Sequence, residues 1–276
     1  MADSAFQIQY RNEFIAAFEQ SQSLVRNTVT TEVELKGNQA TFLVSGSGGA
    51  QAVTRGLNGL IPARPDDNQQ YTATLVEWHD LVKKTGFNVF ASQGDQRRIM
   101  QETSTAVINR KLDSDIITEL NTATQDTGAA QTATLSQVMY GLAILGNNAV
   151  PLDGNISALI TPAFHAYLMQ TKEFASADYV DNKPFSGALT MYRWAGVNFI
   201  VHPNLPGKGT AAEKCFLYHK NAIGNAINSG GIQTAVGVDE EQDYSYARTT
   251  VYTGSKVLQN SGIVVLNHDG SAFAAQ

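Results

Sequence analysis

Residues 94–120 read GDQRRIMQETSTAVINRKLDSDIITEL. Ile99, Val107, Ile108, Leu112, Ile116, Ile117 and Leu120 recur at three- and four-residue spacings, the period of one helix face. Gly94-Asp95 supplies a start signal and Gly128 a stop, so the pattern predicts one helix of about 30 residues, roughly 45 Å long at 1.5 Å per residue. The mean helix of a globular protein has about 11–12 residues, so a helix this long organises whatever surrounds it. Arg97, Arg98, Glu102, Arg110, Lys111, Asp113, Asp115 and Glu119 are expected on the rest of its surface. Asp113 and Asp115 lie two apart and face different directions, so they make no acid/base pair.

Before this helix the chain changes character several times. Residues 1 to 26 have helix-like spacing, with Tyr10, Phe14, Ala17 and Phe18 on one face. Val29, Val33 and Leu35 then alternate with Glu32, Glu34 and Lys36, the pattern of a half-buried strand, and Gly37-Asn38 marks a turn before Ala40 to Val44. From Ser45 to Gln70 the chain carries five glycines and two prolines with few apolar anchors, and Tyr71 to Val76 resumes an extended pattern. A connection of about 26 residues is long for a compact domain, where about 4–6 is typical. A two-stranded projection is marginal alone in water, so an ordered one needs a surface supplied by a neighbour.

After the helix, Gln125 to Thr134 reads as a Thr/Ala-rich linker. Leu135, Val138, Met139, Leu142 and Leu145 give a short amphipathic helix, and Ile156 to Ile160 a strand. Thr161-Pro162 is an N-cap followed by proline at the first helical position, opening a helix through Gln170. Val197 to Val201, Phe216 to Tyr218 and Val251 to Leu266 are further strands, the last interrupted near Gly254 and Gly262.

Composition excludes several classes. The 276 residues carry 25 acidic and 19 basic side chains, a net charge of −6, and only 16% are charged, against roughly 25% in ordinary soluble proteins. An apolar content of 43% excludes disorder, and the lack of a basic excess disfavours a nucleic-acid reader. The longest apolar run, Phe14 to Phe18, is far short of the roughly 20 residues that span a bilayer, so no membrane association is expected. The first residues lack a basic region followed by an apolar core, so no signal peptide is expected. The single cysteine, Cys215, fits synthesis in a reducing compartment.

The search for chemistry yields no candidate catalytic, cofactor-binding or metal-ligating residue. Cys215 and His219 would sit about 13 Å apart along a strand at 3.3 Å per residue, too far to share a zinc or form a nucleophile–base dyad. His79-Asp80 and His268-Asp269 are sequence neighbours whose side chains diverge. Pro206-Gly207-Lys208-Gly209-Thr210 has His202 where a phosphate loop needs glycine and Gly209 where it needs a hydroxyl residue. Gly46-Ser47-Gly48-Gly49 lacks the third glycine of a dinucleotide fingerprint. Asp239-Glu240-Glu241 with Asp243 lacks the alternation and central glycine of a calcium loop and reads as a solvated acidic turn. The chain is therefore expected not to be an enzyme and to need no cofactor or metal.

An arm, a long Gly/Pro-rich hairpin, one very long helix, a mixed α/β region and late strands together resemble the major capsid protein of tailed double-stranded DNA phages, the Hong Kong ninety-seven coat fold. Lys111-Leu112-Asp113-Ser114-Asp115-Ile116-Ile117-Thr118-Glu119-Leu120 resembles the family's spine-helix stretch. Glu173 to Val180, Arg193 to Gly207 and Cys215 to Gly224 resemble further segments of one branch of these coats. The likeness covers roughly Gln20 to Asp269. It implies an α+β fold divided into an N-terminal arm (1–36), an extended loop hairpin (37–76), a peripheral domain with the spine helix (77–129), a mixed α/β axial domain (130–243) and return strands to the peripheral domain (244–276). It implies a structural protein, many copies of which form the pentamers and hexamers of an icosahedral virion shell. That shell would enclose double-stranded DNA without sequence-specific binding, with a scaffold, a portal and cement proteins as further partners and synthesis in the host bacterial cytoplasm. Some relatives crosslink a Lys to an Asn between subunits, but no motif places such a pair here. The alternatives are an encapsulin-type nanocompartment shell, which resembles the same fold, and a monomeric cytosolic enzyme or binding protein.

Overall fold

The structure, a computed structural model, describes residues 22–32, 37–91, 96–175 and 191–273. The N-terminal helix face (Tyr10, Phe14, Ala17, Phe18), the strand positions 33–36, the Gly94-Asp95 start signal and residues 176–180 lie outside the described residues. In chain order the elements are β1 (Thr30–Glu32), β2 (Gln39–Gly46), β3 (Asp67–Thr74), β4 (Val76–Thr85), α1 (Gly86–Ala91), α2 (Gln96–Leu120), α3 (Leu135–Asn147), β5 (Ile156–Ile160), α4 (Pro162–Met169), α5 (Lys172–Ala175), β6 (Met191–Trp194), β7 (Val197–Val201), β8 (Glu213–His219), β9 (Ile223–Ile227), β10 (Gln233–Asp239), β11 (Tyr244–Val257) and β12 (Ile263–His268).

The first sheet is built around β11, whose fourteen residues serve three partners. β10 and β4 pair antiparallel with its first half from opposite sides, β9 pairs with its second half, and β1 adds to β9 in parallel. The helix α2 lies across this sheet, with Ile108 and Leu112 packed on Ile227 and Val251 beside Trp78. The second sheet runs β12-β8-β5-β7-β6. β5 and β7 are parallel and joined through α4, and every residue of β5 is buried, as expected of a strand covered on both faces. Ile116, Ile117 and Leu120 from the end of α2 join the core of this second sheet, alongside Val25 and Val29. One helix therefore holds both sheets, its middle on the first and its end on the second. No described helix is long and apolar enough to cross a membrane.

Several expectations are corrected. The long helix stops at Leu120 and not near Gly128, making 25 residues, about 38 Å at 1.5 Å per residue. Its last turn tightens, with the Thr122 and Ala123 N–H groups donating to the Glu119 and Leu120 carbonyls. β12 then takes over the backbone: Val265 donates to Gln125, and Thr127 donates back to Val265. Gly128 belongs to the loop beyond, at φ +86°. Within the apolar series Val107 is exposed at 38%, and in α3 Met139 is exposed at 48%. Gly254 does not interrupt its strand; β11 runs through it because the backbone of Thr74 passes there, 2.3 Å from where a Cβ would stand. Gly262 does mark a break, a tight turn at Asn260–Gly262. That turn divides residues 244–276, since β11 pairs in the first sheet and β12 beside β8 in the second. Likewise β9 and β10, inside the expected 130–243 unit, pair in the first sheet. The Thr161 cap is as expected, its side chain accepting from the Phe164 N–H group, and Thr134 caps α3 in the same way through the Gln137 N–H group.

Asp113, expected on the solvated face of the long helix, is completely buried. Its Oδ1 accepts from the Ser23 hydroxyl at 2.5 Å and the Val25 N–H at 3.3 Å, and its Oδ2 from the Leu24 N–H at 3.1 Å. His202, just past β7 and also buried, places Nε2 3.5 Å from Oδ2. Its Nδ1 accepts the Asn204 N–H, so the proton of the neutral ring sits on Nε2, facing the carboxylate. A second buried pair, His268 and Glu213, stands 3.4 Å apart, with His268 Nδ1 donating to the Gln131 carbonyl at 3.1 Å.

Two substitutions test these contacts. Gly254→Ala forces a methyl onto the Thr74 carbonyl and is expected to destabilise by about 1–3 kcal/mol, read as a lower midpoint in urea denaturation; an unchanged midpoint contradicts the close approach. Asp113→Asn turns an NH2 group toward a ring of donors and is expected to cost about 2–4 kcal/mol. It should also speed proteolysis within residues 22–32, and wild-type protection there would show that the carboxylate does not anchor that segment.

Candidate functional site

The residues singled out for chemistry are separated by the fold and occupied with structural tasks. Cys215 is buried in β8, and burial pushes its thiol up to about 12 against the opposing hydrogen bonds of Thr161. His219, at the end of the same strand, accepts the Asn221 N–H and lies 3.2 Å from Asp153. Asp153 is held down to about 2, first by the side-chain and backbone N–H groups of Asn155 and to a smaller extent by His219. Burial lowers the pKa of His165 and raises that of the Tyr218 phenol, whose hydroxyl meets Thr28.

The adjacent pairs diverge. His79 points away from α2, toward Glu77 and Thr250; Asp80 lies on the opposite face of β4, where Ser104 of α2 donates to its carbonyl. His268 is enclosed edge-on by the rings of Phe164 and Tyr167, whereas Asp269 turns outward and is lowered by the Ser271 hydroxyl and N–H. Asp113 and Asp115 do separate, one into the core and the other to Lys111 at 2.8 Å on the surface. Asp239 closes the β10–β11 turn by accepting from the Glu241 and Gln242 N–H groups, and the Tyr244 hydroxyl is the main cause of its lowered acidity range. In the 206–210 segment Gly207 and Gly209 take positive φ within a compact loop whose Thr210 hydroxyl donates to the Gly207 carbonyl. Gly46 to Gly49 lies where the hairpin strands part, and the Gly48 position stands against the Asp67 side chain. Among the described residues no group of three or more His, Cys, Asp or Glu side chains could hold a metal ion.

What the molecule does present is surface. β2 and β3 pair from Gln39↔Thr74 to Gly46↔Asp67, and the root of this hairpin is held by its own chain. Ala40, Phe42 and Ala73 pack on Ala226 and Leu258, and the Phe42 ring fills the space a Cβ on Gly224 would need. Beyond Gly46 all support ends. Residues 47–66 are exposed throughout, joined only by short turns such as Gly56 to Leu60. Leu43, Val53, Leu57, Leu60 and Ile61 stand at 60% exposure or more, Leu57 fully so. Aliphatic side chains on a projection with no core of its own mark a contact surface and not a catalytic one. The sequence signal was present, since these residues interrupt a Gly/Pro-rich stretch, but composition alone made the stretch look poor in apolar anchors.

Comparison with known proteins agrees with this geometry. A search of curated sequences returns no match. Solved structures match over nearly the whole chain: a chain from Mycobacterium phage Che8 at 16% identity and TM-score 0.76, covering 97% of this chain and 98% of that one. A chain of the Cyanophage Pam1 capsid asymmetric unit follows at 13% and 0.74, covering 98% of both, and the capsid of a native GTA particle at 14% and 0.72, covering 97% of both. At such identities the likeness is one of fold, that of the Hong Kong ninety-seven coat. The family model described as Phage capsid protein matches residues 2–269. Reaching nearly end to end, that match settles the family: the chain belongs to the phage capsid protein family and is a structural subunit of a phage shell, a major capsid protein.

Proposed function

We propose that many copies of this chain form the pentamers and hexamers of an icosahedral shell around double-stranded DNA, built in the host bacterial cytoplasm with a scaffold, a portal and cement proteins. In this reading the protein performs no catalysis. Residues 37–76 act as the extended loop, α2 is the spine of a peripheral unit with the first sheet, and the second sheet with α3 and α4 is the axial unit toward the symmetry axes. The observation that carries the reading is the hairpin, fixed at its root by Phe42 and extended into solvent with five exposed aliphatic side chains. Each such side chain gains about 1.5–3 kcal/mol on full burial, so a neighbour that covers several of them gains a usable contact without needing a deep pocket.

Charge supports the same reading. With a net charge of −6 and 16% charged residues, repulsion between copies is small. A mildly acidic wall also leaves enclosed DNA free of the phosphate contacts that basic surfaces make.

Leu57→Asp combined with Ile61→Asp leaves the packed core untouched, so the expected result is a subunit with wild-type thermal unfolding. Its yield of rapidly sedimenting shells should fall at least tenfold when co-expressed with the phage's own assembly genes. Wild-type shell yield from this variant would remove the hairpin from assembly. Nuclease-protected double-stranded DNA in particles from native source is the expected content, and an enzyme cargo in its place would favour a nanocompartment.

A further inference from the structure

We propose that the outward face of α3, centred on Met139 and Tyr140, is a contact between neighbouring copies of this chain. The inference rests on the shell reading above and names a surface that reading leaves open. α3 (Leu135–Asn147, LSQVMYGLAILGN) contains no Asp, Glu, Lys or Arg, although even this charge-poor chain would place about two in thirteen residues by composition. A helix face meant for water carries charged side chains opposite its apolar stripe. Here the stripe Gln137, Val138, Gly141 and Leu145 is buried, while Met139 at 48% and Tyr140 at 56% are exposed among the exposed Ser136, Ala143, Gly146 and Asn147. Leu152, in the loop that follows, is 67% exposed.

The helix cannot turn to bury these side chains itself. Gly141 lets it sit so close to the second sheet that a Cβ there would lie 3.1 Å from methyl groups of Leu217 and Leu266. The Gln137 amide donates to the Asn267 carbonyl at 2.6 Å, the Thr134 hydroxyl caps the start, and Asn148 donates to Gln125 and the Ser261 carbonyl just past the end. The exposed face is thus fixed in rotation.

Area decides the occupant. Met139 and Tyr140 offer on the order of 200 Å² of apolar surface, well short of the about 800 Å² per partner of a stable pairwise complex. A free-standing dimer or a tightly held foreign protein would need more. A second copy within a closed ring does not, because each copy there is gripped from both sides and every contact can be small. An uncharged face also loses little on desolvation.

The test uses the full chain carrying Met139→Cys. The native Cys215 is buried with its thiol pushed up to about 12, so it is silent toward a maleimide. The introduced thiol is expected to react rapidly in free subunits and at least tenfold more slowly in purified shells. Equal rates in the two overturn the proposal, as does slow labelling of the free subunit, which would mean that the chain covers this face itself. As an independent arm, Tyr140→Glu should leave thermal unfolding unchanged and reduce the assembled fraction at least tenfold; wild-type assembly of that variant overturns the contact. If wild-type protein never sediments as shells with its scaffold present, the shell reading falls and the contact with it. Wild-type shells in which the introduced thiol stays reactive defeat the contact alone.

Discussion

The buried carboxylate of Asp113 is where three distant parts of the chain meet. It sits on α2, receives hydrogen bonds from Ser23, Leu24 and Val25, and faces the ring of His202 beyond β7. A carboxyl group is tolerated inside a protein only when donors surround it, and the donors here, Ser23, Leu24 and Val25, come from about ninety residues earlier in the chain. The constraint runs in both directions. The carboxylate needs the entering chain to curl around it, and the entering chain, once curled, places Val25 and Val29 in the core of the second sheet and starts β1 alongside β9 of the first. Without that anchor the two sheets would share α2 but not a common entry.

Much of this fold could be read from residues that report on their own surroundings. The Thr161-Pro162 start, the mainly apolar β5 and the apolar face of α2 are local patterns with local causes. What escaped reading depends on partners far away in sequence. β4 has inward positions Trp78, Asp80, Val82 and Lys84 against α2, so no apolar alternation exists to be seen; Lys111 stacking 3.8 Å over the Trp78 ring replaces it. Gly254 looked like a breaker because its reason, the Thr74 backbone, is 180 residues away. Asp113 looked like an ordinary surface charge because two of its three donors are backbone N–H groups, which every residue but proline carries and which leave no trace in composition. The long helix was legible; which faces lie exposed was not, since exposure is a property of the folded molecule.

The low charge content takes its meaning from those surfaces. A monomer in water gains from charged side chains on every outward face, and α2 follows that rule with Arg97, Arg98, Glu102 and Arg110. α3, with no Asp, Glu, Lys or Arg, does not. Where a face must leave water repeatedly, in every copy of a shell, neutral Ser, Thr, Asn and Gln and exposed aliphatics lose less on desolvation than Lys or Glu would. The 16% figure is therefore not spread evenly: α2 is well charged and α3 carries no charged side chain at all.

The hairpin divides labour in a way that follows from its mechanics. Its direction is set inside one subunit, by Phe42 against Gly224 and by Ala40 and Ala73 against Ala226 and Leu258. Residues 47–66 bury nothing within their own subunit, so in the shell reading proposed above the free energy that holds the outer half comes from a neighbour. A projection anchored at both ends would be rigid but could not conform to neighbours related by different rotations, and one free at both ends would lose too much entropy on docking. A fixed root with an unsupported tip avoids both costs. That is what a single sequence needs if it is to make the same contact around axes of different order.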